Sequence, residues 1–358
     1  MMAAASDSTS TPPGPKKKVN LALQGGGAHG AFTWGVLDYI LEDGRLVIEG
    51  LSGASAGALN AVMCVDGLAR GGPQEARKRL ADFWRAVSSD GELPLLQRRI
   101  VERLFTFMPA ADTPIQAWFE AMSRCFSPYD LNPLNINPLR DVIERFVDFG
   151  ALCRYQNVQL YVSATNVITG RLRIFPREKI SADVVMASAA LPTLFQAVTI
   201  GDASYWDGGY MGNPVIFPFF RKTTTEDVLI VQINPVERRE IPTSTHDIMN
   251  RINEITFNSS LLAEYRAIEF VARLIDQDRL PRGSAPGQYR RVNAHRIVLG
   301  DGQKAYSADT KLSTDYDFFR MLHANGRRAA RRFLDEHFDD IGVRSTFDLR
   351  AEAQAEWA

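Results

Sequence analysis

Two glycine-rich turns, each set between an apolar run and a helix-period segment, constrain this chain more than any other feature. Val19-Asn20-Leu21-Ala22-Leu23 has no helical period and reads as a buried parallel strand. It runs into Gln24-Gly25-Gly26-Gly27-Ala28-His29-Gly30. The next segment carries Trp34, Leu37, Ile40 and Leu41 on one helical face and Phe32, Val36 and Tyr39 on another. That is a helix buried nearly all round, stopped by Gly44. The unit then repeats, with Leu46–Ile48 as strand, Gly50-Leu51-Ser52-Gly53-Ala54-Ser55-Ala56-Gly57 as turn and Ala58–Ala69 as apolar helix. Strand, glycine turn and helix, twice over, open a parallel α/β sheet.

Further strands are expected at Val158–Ala164, Leu172–Phe175 (after a turn at Gly170), Ala203–Trp206 and Val228–Ile233. Helices are expected at Ala182–Ala190, Thr243–Ile275 and Asp317–Phe338. Residues 74–150 are helical in pattern and broken by prolines, with an aromatic stretch at Leu104, Phe105, Phe107, Met108, Trp118 and Phe119. That stretch suits the core of a helical cap, a lid over a pocket or a membrane-facing surface. The expected organisation is a disordered tail over 1–18, a catalytic α/β domain over 19–220 with a cap around 74–150, and a strand plus long helices over 221–358 packing on the same domain. Arg327, Arg328, Arg331 and Arg332 read as a solvated helix face.

Composition narrows the function classes. A chain of 358 residues that is 45 % hydrophobic is neither disordered throughout nor fibrous. Lys plus Arg is 41 and Asp plus Glu 42, a net charge of −1, which offers no general electrostatic case for nucleic acid. Cys64, Cys125 and Cys153 are odd in number and widely spaced, with no CxxC or Cys/His pair, so reduced thiols are expected and no metal. After Lys16-Lys17-Lys18 the apolar run is too short for a secretory signal, and none approaches the ~18 residues of a membrane span. The expected location is the cytoplasm, with peripheral contact at the inner face of a membrane left open.

Gly25-x-Gly27-x-x-Gly30 matches the dinucleotide fingerprint, and Glu49 stands about 20 residues on. The second strand, however, runs into another glycine turn instead of ending on a ribose-binding acid. The other use of the first turn is an oxyanion hole, in which the N–H groups of Gly25, Gly26 and Gly27 face a developing negative oxygen.

Gly53-Ala54-Ser55-Ala56-Gly57 fits G-x-S-x-G, a turn that projects a serine hydroxyl between strand and helix. Serine needs a base. The order Ser55, Asp207, then His246 or His295 would satisfy a three-residue relay, but neither of these histidines sits in a glycine-rich turn. Asp207, in Tyr205-Trp206-Asp207-Gly208-Gly209-Tyr210, is better placed. A carboxylate desolvated beside a hydroxyl gains basicity, and Gly208 and Gly209 permit close approach of backbone.

Together these three blocks, with Ala187-Ser188-Ala189-Ala190-Leu191-Pro192-Thr193-Leu194-Phe195 and Asn213-Pro214, resemble the patatin-like phospholipase family over roughly residues 19–220. The resemblance implies a three-layer α/β fold, a mostly parallel central sheet flanked by helices, with extra C-terminal helices here. It implies a Ser55–Asp207 dyad without histidine, an oxyanion hole at Gly25–Gly27, supporting glycines at Gly30, Gly53, Gly57, Gly208 and Gly209, and neither metal nor cofactor. The substrate it implies is a lipid ester, hydrolysed through an acyl-enzyme. A non-catalytic lipid-binding protein and an acyltransferase are the alternatives. The chain departs from the family at His29, where Lys or Arg is usual.

Overall fold

Apolar alternation along the strands dictates how the layers stack. In the computed structural model, which describes residues 16–88, 127–238, 240–283, 285, 288–300 and 313–353, β1 (Lys17–Leu23) turns Leu21 and Leu23 to one face and Ala22 to the other. The remaining strands are β2 (Leu46–Gly53), β3 (Gln159–Asn166), β4 (Leu172–Pro176), β5 (Val198–Ile200), β6 (Ala203–Asp207), β7 (Asp227–Gln232) and β8 (Asn293–Val298). They form one sheet in the order β5-β6-β3-β2-β1-β7-β8, with β4 also on β3. Pairings among β3, β2, β1, β7 and β8 are parallel, and those of β4, β5 and β6 are antiparallel.

One face of the sheet is covered by α1 (Gly30–Asp43), α2 (Ala56–Gly71) and α3 (Pro73–Ala86). They are joined there by α4 (Pro138–Phe146), α5 (Phe149–Arg154), α6 (Ala182–Ser188) and α8 (Tyr316–His337). The other face is covered by α7 (Thr245–Asp276), whose Leu261, Tyr265 and Ile268 pack on Val228, Ile230 and Ala294. The result is the three-layer α/β arrangement read from the sequence. The strands β5 and β8 carried too little pattern to be expected. Among the described residues no helix is long and apolar enough to cross a membrane. The aromatic stretch 104–119, Cys125 and most of the tail lie outside the described residues.

The basic run on α8 is not simply solvated. Arg327 forms ion pairs with Asp38 and Glu42 of α1, and Arg77 of α3 reaches the same two carboxylates at 2.7 and 2.8 Å. His323 Nε2 lies 3.2 Å from Asp38. This cluster bolts α8 across α1, and the cations hold the Asp38 carboxyl far below the usual carboxylate range despite its burial.

The turn that matters most is set by register. β2 pairs with β3 only as far as Gly53–Val162, and two residues further along β3, Ala164 pairs with Asp207. β4 occupies the opposite edge of β3 over Tyr161–Thr165, so β6 takes up the same edge where β2 leaves it. The carboxyl end of β6 therefore meets the carboxyl end of β2.

Candidate active site

Between β2 and α2 a single residue reverses the chain. Ser55 adopts φ 52° and ψ −127°, a left-handed conformation unfavourable for a residue with a side chain. The strain is held from several sides. The Ser55 N–H donates to the carbonyl and hydroxyl oxygens of Ser188, at 3.1 and 3.0 Å. Gly57, in the first turn of α2, lies so close to β1 that a Cβ there would stand 2.2 Å from the Leu23 carbonyl oxygen. Gly53 has the same tightness against Gly57. The flanking glycines are thus packing requirements of the turn.

Asp207 closes β6 with its side chain fully buried. Its N–H donates to the Ala190 carbonyl at 2.9 Å, and Thr165 Oγ1 donates to its carbonyl at 2.8 Å. The carboxylate Oδ1 accepts the Gly209 N–H at 2.6 Å, while Oδ2 has no partner in good hydrogen-bond geometry. Burial pushes this carboxyl up to about 7, against the Gly209 N–H and the Ser55 hydroxyl, which pull it down. Gly208 sits where a Cβ would stand 2.2 Å from the Ser163 carbonyl. Ser163 in turn donates to the Gly212 carbonyl at 2.9 Å and to that of Gly53 at 3.4 Å, tying the Asp207 turn to the end of β2.

The first glycine turn presses on the serine. A Cβ on Gly25 would lie 2.5 Å from the Ala54 oxygen and 2.7 Å from Ser55 Cβ, so only glycine fits. The Gly25 N–H is already spent on Asn213 Oδ1 at 2.6 Å. Those of Gly26 and Gly27 have no acceptor among the described residues. Gly30 packs on Ala56 and Trp84 at the start of α1.

His29 is buried, with its ring 6.4 Å from that of Phe318. Three other histidines sit elsewhere. His295 Nε2 meets Asp227 Oδ1 at 2.9 Å, at the far end of β7; His323 meets Asp38; His337 meets Asp340. The side chain of His246 lies outside the described residues.

Ser188, Asn213 and Asn234, which bond the backbone of Ser55 and Gly25, and Gln24 and Asn258, which stand one step behind them, carry no role in the sequence reading. Asn234 follows a strand pattern that already contains the polar Gln232, so no local signal marked it.

No curated protein matches the chain. Among solved structures it is similar to VipD from Legionella pneumophila, at 15 % identity and TM-score 0.36, over 87 % of this chain and 67 % of that one. It is also similar to ExoU in the ExoU–SpcU complex from Pseudomonas aeruginosa (19 %, TM-score 0.31, 69 % and 51 %) and to ExoU alone (13 %, TM-score 0.32, 90 % and 53 %). The chain spans about half the length of those ExoU chains. The family model described as patatin-like phospholipase matches residues 21–220, more than half of the sequence, and the chain belongs to that family of lipid hydrolases.

Proposed function

We propose that this protein hydrolyses lipid esters through an acyl-enzyme on Ser55, with Asp207 as its general base. The observation that carries the reading is the meeting of a strained, backbone-held serine with a fully buried carboxylate that the serine hydroxyl reaches. A carboxylate near pH 7 in basicity suits proton transfer from a hydroxyl at neutral pH. Ser55 Oγ attacks the ester carbonyl as its proton passes to Asp207. The oxyanion takes hydrogen bonds from the N–H groups of Gly26 and Gly27, because that of Gly25 is engaged by Asn213. The alcohol leaves with the proton from Asp207. Water, deprotonated by the same carboxylate, then releases the fatty acid.

Contact with a lipid surface is part of this reading. Ile248, Met249, Ile252 and Ile255 make an exposed apolar stripe on the first turns of α7. The same helix lays Phe257 on Gly209 and on the Tyr210 ring, 5.4 Å away, and Met211 beside them is exposed. A stripe of this kind supports a bilayer contact next to the site.

The test is hydrolysis of a short p-nitrophenyl ester and fatty-acid release from phospholipid vesicles. Both activities are expected in the wild type and in neither Ser55→Ala nor Asp207→Asn, with all three proteins folded. Hydrolysis that survives Ser55→Ala would refute the reading.

A further inference from the structure

The glycine turn is held by buried carboxamides, two of which lie beyond the span matched by the family model. Gln24, Asn213, Asn234 and Asn258 are each at most 2 % exposed. Gln24 Oε1 accepts the N–H groups of Ile233 and Asn234, both at 2.8 Å, and its Nε2 donates to Asn258 Oδ1 at 2.8 Å. Asn258 Nδ2 donates to the Pro235 carbonyl at 2.9 Å. The chain leaving β7 is thereby fastened to the chain leaving β1.

Within this frame Gly25 is gripped on both sides. Its N–H donates to Asn213 Oδ1 at 2.6 Å. Its carbonyl accepts Asn234 Nδ2 at 2.7 Å and, more weakly, Asn213 Nδ2 at 3.4 Å. The Gly25 carbonyl and the Gly26 N–H belong to one peptide plane and point in opposite directions. Fixing the carbonyl on Asn234 therefore fixes where the Gly26 N–H is aimed. Glycine loops have many conformations open to them, so an aim of this kind has to be imposed from outside.

We propose that Asn234, with Asn213, is a positioning residue for the acyl-transfer step, setting the Gly25–Gly26 peptide so that the Gly26 N–H meets the oxyanion on Ser55. The inference rests on the hydrolase reading above. A carboxamide is required at both positions. Asn213 must accept from one Gly25 group while donating to the other and to the Phe257 carbonyl at 3.3 Å. A carboxylate at 234 would set a negative oxygen against the Gly25 carbonyl and turn the peptide away.

The experiment compares wild type, Ser55→Ala, Asn234→Ala and the near-isosteric Asn234→Asp. It measures p-nitrophenyl ester kinetics and inhibition by a trifluoromethyl ketone, whose hemiketal with the serine carries the oxyanion. In both Asn234 variants kcat is expected to fall about 10- to 100-fold, below the loss expected for deleting a donor outright. KM should change less than about 3-fold, and the inhibition constant should rise in step with the fall in kcat. If Asn234→Ala does not fold, Asn234→Asp carries the test, and Asn213→Asp should give the same split. An Asn234→Asp enzyme with wild-type kcat and wild-type affinity for the ketone, while Ser55→Ala is inactive, would overturn this inference alone. Full activity in Ser55→Ala would instead overturn the hydrolase reading on which it rests.

Discussion

Ser188 shares its carbonyl and its hydroxyl oxygen on one donor, the N–H of Ser55, at 3.1 and 3.0 Å. Two residues further on, the Ala190 carbonyl accepts the N–H of Asp207 at 2.9 Å. One short segment at the end of α6 thus holds both members of the proposed dyad by their backbones. Removing the Ser188 hydroxyl leaves the carbonyl in place, so Ser188→Ala should cost only the about 1 kcal/mol of one hydrogen bond, a roughly 5-fold fall in kcat. Steady-state kinetics beside a thermal melt would check this, and a fall in Tm without any change in kcat would count against it.

The pH profile follows from Asp207. Its carboxyl is raised to about 7 by burial, and as a base it acts only when ionised. The logarithm of kcat/KM should rise with unit slope at acid pH and level off above about pH 7. A profile already flat from pH 5 upward would assign the base to another group.

Gly25→Ala tests the close approach of the two turns. The added methyl would meet the Ala54 oxygen at 2.5 Å and Ser55 Cβ at 2.7 Å, so the loop or the serine has to move. A loss of at least about 100-fold in kcat is expected, comparable to losing an oxyanion donor. Near-native turnover would show that the loop lies further from the chemistry.

Two polar clusters should govern stability without touching turnover. His295→Ala removes a fully buried ring and one of the hydrogen-bond partners of Asp227, so a destabilisation of about 2–4 kcal/mol is expected by urea unfolding, with kcat per folded molecule unchanged. Asp38→Ala leaves Arg77 and Arg327 with Glu42 as their remaining carboxylate partner and should cost about 1–2 kcal/mol, the arginines being partly exposed. Because the folded-state pKa of Asp38 is depressed, its contribution is complete above the unfolded carboxylate range. It is lost as pH falls below about 4. The gap between wild type and Asp38→Ala should narrow accordingly on acidification.

The apolar stripe on α7 gives a separable prediction. Ile252→Glu with Ile255→Glu should abolish co-sedimentation with phospholipid vesicles while leaving hydrolysis of a soluble ester within about 2-fold of wild type. Unaltered vesicle binding would place any membrane contact elsewhere.

What the sequence disclosed was local in character. The glycine turns, the G-x-S-x-G pentapeptide and Asp-Gly-Gly are contiguous, and steric need ties their small residues to their geometry: Gly57 against Leu23, Gly208 against Ser163. The carboxamide frame was illegible because Gln24, Asn213, Asn234 and Asn258 are scattered over more than two hundred residues and meet only through β-sheet register. The status of Gly25 was hidden for the same reason, since no local pattern reveals that its N–H is taken by Asn213. Arg327 read as a surface charge because its partners, Asp38 and Glu42, stand on a helix nearly three hundred residues earlier.

The central claim is that Asp207 activates Ser55, and the most direct measurement is the rate of covalent labelling of Ser55 by a fluorophosphonate, followed by intact-protein mass spectrometry. Wild type should gain one adduct, located on Ser55. Folded Asp207→Asn should label slower by at least about 100-fold, in keeping with the loss of a general base. Labelling of Asp207→Asn at the wild-type rate would contradict the account.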